Sequence, residues 1–221
     1  QELDRLRRTA TALGPSNLLV RVGARRDAAP TLRWVLRRRP DIDRLCALHA
    51  SEGMASEPIA LVRAAAAILQ KRTAHFVGRE LHPEGWHSVV YLSQFARDPL
   101  EVRDRIRAVS ALILDDETGF DSLIPLLRLP AGCSAFLGIQ IPDAGSPRLR
   151  LTTPGFPAPG IFQVLELTGR MRRRVELLSA LEDAAGVSAA GWVAADLARD
   201  SIGHVSLTKV RLSYPIQVAS P

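Results

Sequence analysis

Two pairs of cations are the residues of this sequence best placed to do chemistry. Arg148 and Arg150 lie in PRLRL, and Lys209 and Arg211 lie in TKVRLSY. Side chains two positions apart on a strand share a face, so each pair projects together. Like charges this close repel unless an anion is set among them. A phosphate or diphosphate meets that need, and arginine holds it bidentately. Arg21, inside SNLLVRV, is a further cation within a predicted strand. Tyr91 and Tyr214 are the two tyrosines of the chain. The candidate substrate-binding set is therefore Arg21, Tyr91, Arg148, Arg150, Lys209, Arg211 and Tyr214.

A second constellation lies in HFVGRELHPEGWH, which holds His75, Glu80, His82, Glu84 and His87. Imidazole and carboxylate groups can ligate zinc or iron, but HExxH is absent and no metal is named for it. Proton transfer is the better use: His82 or His87 as general base, with Glu84 beside it. These three are the candidate catalytic residues. The acidic turn Asp115, Asp116, Glu117 and Asp121 could hold magnesium for a diphosphate. It is read instead as the polar end of a helix. Cys46 and Cys133 offer neither a disulfide framework nor a four-cysteine zinc site. GxSxG, P-loop and GxGxxG signatures are all missing, so the cofactor is unknown.

The order of helix, strands with a basic residue mid-strand, then helix resembles one unit of the αββα-barrel aromatic prenyltransferases. The stretches 147–151 and 208–214 carry the likeness. The resemblance implies a barrel in which inward Arg and Lys hold an allylic diphosphate and Tyr side chains shield the carbocation.

The positioning elements follow from periodicity and punctuation. Helices are predicted at Glu2–Leu13, Asp41–Ala50, Pro58–Gln70 and from Asp98 to about Leu114. Ser56 or Glu57 is read as the cap of the third, and Asp98-Pro99-Leu100-Glu101 starts the fourth. Further helices are expected at Phe120–Leu127, Ile161–Ala185 and Val187–Asp200. Strands are expected at Ser16–Val22, His87–Ser93, Ser134–Thr153 (a hairpin) and Ile202–Tyr214. Thr31–Arg39 is undecided between helix and strand, and His75–Trp86 is read as irregular. The sum is an α+β fold: a mixed or antiparallel sheet of five to six strands packed with several helices. One domain over 1–221 is expected, with a possible lobe boundary at the Pro/Gly stretch 153–160.

Composition allows a sizeable core, at 47% hydrophobic residues. No apolar run reaches the roughly 18 residues of a membrane span, and with two cysteines a cytoplasmic, reduced location is expected. The net charge of +6 is uneven. Residues 1–40 hold ten Arg against Glu2, Asp4 and Asp27, a surplus of +7, while the rest of the chain carries −1. Two functions follow. The first is a small biosynthetic tailoring transferase that binds an anionic or phosphorylated small molecule on a basic sheet face. The alternative is a non-catalytic module whose Arg-rich segment 1–40 contacts a partner protein or, less favoured, nucleic acid.

Overall fold

The computed structural model describes residues 2–13, 17–25, 28–37, 39–82, 85–94, 98–116, 120, 135–143, 145–156 and 191–213. Its elements run α1 (Glu2–Leu13), β1 (Asn17–Arg25), β2 (Ala28–Arg37), α2 (Ile42–Ser51), α3 (Ser56–Ile68), β3 (Phe76–His82), β4 (Gly85–Gln94), α4 (Pro99–Leu114), β5 (Ala135–Pro142), β6 (Arg148–Phe156), β7 (Gly191–Arg199) and β8 (Val205–Ser213). The strands form one antiparallel sheet in sequential order, β1 through β8. This is an α+β fold, and among the described residues the sheet has eight strands, where the sequence led us to expect five to six.

Three segments account for the difference. Thr31–Arg39, undecided from its apolar pattern, lies mostly in β2. His75–Trp86, read as irregular, supplies β3 and the start of β4. Val187–Asp200, read as a helix, contains β7 instead. The expected helices at Phe120–Leu127 and Ile161–Ala185 lie outside the described residues, except for Phe120. Of the Pro/Gly stretch 153–160, the first four residues complete β6.

One face of the sheet is apolar and carries the helices. Val77, Val90, Leu92, Leu137, Ile139, Ile141, Leu149, Leu151 and Leu197 alternate along β3 to β7. They share a core with Ile42 and Leu45 of α2, Val62 and Ala65 of α3, and Ile106 and Val109 of α4. Period-2 strands meeting period-3.6 helices over one apolar layer explain the two-layer build. The helix starts follow local chemistry. Asp41 accepts from the Asp43 and Arg44 amides, and Asp98 from the Leu100 amide, with proline opening α4. The start of α3 differs from expectation: its cap is Ala55, with no side-chain hydrogen bond.

The opposite face is concave. Arg150 on β6 reaches Glu80 on β3 at 2.5 Å. Three strand spacings and a four-residue offset would separate those positions by roughly 19 Å on a flat sheet. Two side chains cannot span that gap, so the sheet curls around this face. Strand twist summed over eight strands produces such curling.

Candidate functional site on the concave face

The ladder places the polar residues of many strands on this one face. Cross-strand partners share a face, so the register can be followed from strand to strand. Arg21 pairs with Arg33, Arg33 with Glu80, and Glu80 with His87. Tyr91 pairs with Gly138, Gly138 with Arg150, Arg150 with Asp196, and Asp196 with Lys209. Gln140 pairs with Arg148, and Ala194 with Arg211. His82, paired with Gly85, belongs to the same set. β6 and β8 are not neighbours, because β7 separates them. In register, positions 209 and 211 nonetheless fall on the face of positions 148 and 150, since two antiparallel steps preserve it. Glu84 and Tyr214 lie outside the described residues.

Arg150 is the centre of the site. Its Nε donates to Asp196 Oδ1 at 2.5 Å and its Nη2 to Asp196 Oδ2 at 3.0 Å. Nη1 donates to Glu80 Oε1 at 2.5 Å and to the Tyr91 hydroxyl at 2.7 Å, and Nη2 donates to Glu80 Oε2 at 2.9 Å. All five guanidinium donors are thereby used. With its amide turned oxygen-inward, Gln140 also accepts from Nη2 at 2.6 Å and Nε at 3.0 Å. The Tyr91 hydroxyl donates in turn toward Glu80 Oε1 at 3.4 Å. Arg150 is only 1% exposed, and Glu80, Tyr91 and Asp196 are each 4% exposed. Burial opposes the charge of Arg150. Tyr91, Glu80 and Asp196 more than offset that and hold the guanidinium protonated, with its pKa above the ordinary arginine value.

Two neighbours fix the geometry. A Cβ on Gly138 would stand 2.8 Å from Tyr91 Cε1 and 3.3 Å from Arg150 Cβ. Only glycine lets the ring and the arginine stem meet over β5. Beside Tyr91, Phe76 stacks on Phe136 with ring centroids 6.2 Å apart, and His75 meets the edge of Phe76 at 4.1 Å. An aromatic wall thus flanks the polar cluster on β3, β4 and β5.

The candidate residues sort as follows. Arg148, Arg150, Tyr91 and His87 have side chains on the concave face; His87 is fully buried and Arg148 half-buried. Arg21, His82, Lys209 and Arg211 share its register. Arg150 departs from its expected role, because carboxylates of the protein take up the donors expected to meet a ligand. Asp196, Gln140 and Gly138 are positions of this cluster that the sequence reading passed over, and Glu80, named there beside the histidines, pairs with Arg150 instead. Asp196 lay in a segment read as helical, and Glu80 in one read as irregular. Asp115 ends α4 in the left-handed region at φ 49°, and Arg199 donates to its carbonyl. Compared with family models, curated proteins and solved structures, the chain shows no significant match.

Proposed function

We propose that this protein is a small transferase that binds a phosphorylated, anionic small molecule on the concave face. The observation that carries the reading is a charge imbalance in one register set. Arg21, Arg33, Arg37, Arg148, Arg150, Lys209 and Arg211 belong to it, against Glu80 and Asp196. Both carboxylates bond to Arg150, cations outnumber carboxylates in this register set, and an anionic ligand would balance the excess. Arg148, Lys209, Arg211 and Arg21 are then the ligand-facing set, and Arg150 is a positioning residue that holds Tyr91 and both carboxylates. When a group leaves a phosphorylated donor, the bonding electrons depart with the phosphate oxygen, and fixed cations stabilise that charge. His87, opposite Glu80, is the base that takes the proton from an acceptor.

The likeness to the αββα-barrel aromatic prenyltransferases supports the same reading. Helices precede the hairpins β1–β2, β3–β4 and β5–β6, and the sheet winds through its hairpins in order with the helices on one side. It would make the anion an allylic diphosphate and the wall of Phe76, Tyr91 and Phe136 a place for an apolar partner. The family barrel has about ten strands, and eight are present among the described residues.

Inorganic pyrophosphate is the direct test. We expect a saturable rise in melting temperature that is weakened roughly tenfold in apparent affinity by Arg148→Ala and further by Lys209→Ala with Arg211→Ala. A flat response of the unaltered protein would remove this reading. The alternative, a binding module using residues 1–40, is disfavoured by placement: Arg21, Arg33 and Arg37 belong to the concave register set, apart from α1. Tight DNA binding with a steep salt dependence, unchanged by those substitutions, would restore it. Among the described residues no helix is long and apolar enough to cross a membrane.

A further inference from the structure

We infer that Arg79, Trp86 and Asp143 form a clip on the back of the sheet that positions Glu80, His87 and Arg148 on the concave face. The inference rests on the reading of that face as an anion site and adds positioning residues to it.

The clip is built from a buried cation and an exposed turn. Arg79 follows Val77 of the main core by two residues on β3, so it lies on the helix side of the sheet. It is buried, whereas the Asp143 side chain is 55% exposed. Arg79 Nη2 donates to both carboxylate oxygens of Asp143 at 2.9 Å. Its guanidinium also stands over the Trp86 ring, 5.7 Å from the centroid. A cation taken out of water needs a counter-charge, and this one draws the turn after β5 onto the back of β3 and β4. The Asp143 amide donates to the Trp86 carbonyl at 3.0 Å. That bond carries the β4–β5 pairing one step past His87 and Pro142.

Each part of the clip adjoins a part of the site. Arg79 precedes Glu80, and Trp86 precedes His87. Neighbours on a strand face opposite sides but share one backbone, so a contact that fixes the back fixes the front. Asp143 begins the turn that ends at Arg148. Arg148 depends on that turn most. It pairs with Gln140 on β5, but the pairing of β6 with β7 begins only at Leu149. The ladder therefore holds Arg148 from one side, and the clipped turn supplies the second constraint. Binding groups work only when held to within about 0.5 Å of their productive positions.

Asp143→Asn is the test, because charge and position predict opposite signs. By charge alone, removing a carboxylate near Arg148 would tighten pyrophosphate binding. Loss of position should weaken it about fivefold by calorimetry on the whole chain. In an Arg148→Ala background the same change should add no further loss, since it acts through Arg148. Hydrogen exchange should quicken about tenfold at the Asp143 and Arg148 amides and stay unchanged at Leu92. Equal or tighter pyrophosphate binding, an equal loss in both backgrounds, or unchanged exchange would each overturn the positioning role. If exchange responds but the unaltered protein binds no pyrophosphate, the reading of the concave face falls, and the positioning role falls with it.

Discussion

The imidazole of His49 sits in the last turn of α2 with no partner for either nitrogen. Burial lowers its pKa to about 4; Glu52 opposes that shift, and Arg5 and Arg79 reinforce it. The unfolded chain binds a proton at this residue near pH 6.5, and the folded chain only near 4. Between those values the unfolded state holds more protons, so stability is fully present above about pH 6.5 and falls as pH drops toward 4. The shift corresponds to at most about 3 kcal/mol. Denaturant midpoints measured at pH 7 and pH 4.5 should differ less in His49→Leu than in the unaltered protein. An equal pH slope in both would assign the acid sensitivity to the carboxylates. The type of residue was legible at this scale, but its environment was not. Nothing in LCALHASE says that His49 is buried beside Glu52.

At the scale of elements, local chemistry was a reliable guide where caps and turns speak for themselves. The four helices α1 to α4 lie close to their expected spans, and Asp98 with Pro99 opens α4 as read. The hairpin of β5 and β6 turns through Gly145 at φ 100°, a conformation that favours glycine. Replacing Asp41 or Asp98 by alanine strands one or more end amides. Each change should cost about 1 kcal/mol, and the two should add, because they cap different helices. Urea denaturation of the single and double variants checks this; a loss near zero for either would deny the cap its role. Reading by element failed at β7. GWVAADLARD carries three alanines with high helix propensity, yet Ala195 and Leu197 pack into the core face while Asp196 turns to Arg150 on the other. Tertiary pairing on both sides decided the strand, and propensity yields to such context.

At the scale of the whole molecule, Arg150 acts as a brace. It joins β6 to β3 and β7 across the concave face, tying residues 70 and 46 positions apart. Methionine in its place would leave Glu80 and Asp196 buried without their cation. The expected loss is about 3–5 kcal/mol, the range for breaking a buried pair from one side. Arg148→Ala, at a half-buried position, should cost less than the methionine change at Arg150. Chemical denaturation of the two variants separates the roles: equal losses would mean that Arg150 braces nothing. Adding Glu80→Gln and Asp196→Asn to the methionine variant should recover part of the loss, because the stranded charges are then gone.

The sequence by itself determined the local terms. It specified which residues alternate, that Arg148 and Arg150 share a face, as do Lys209 and Arg211, where helices begin, and that the class is α+β. Each depends on bonding geometry within a few residues, and a strand's period of two is the same in any fold. Only the tertiary structure decided which residues meet. The ladder carries the face of β6 through β7 to β8, so positions 209 and 211 fall in register with the face of 148 and 150 although β6 and β8 are not neighbours. The curl of the sheet, summed from the twist of eight strands, brings Glu80 onto Arg150. Neither the ladder nor the curl is a property of any short stretch, so the arginine that reads as a ligand anchor in the sequence is held by two carboxylates in the fold.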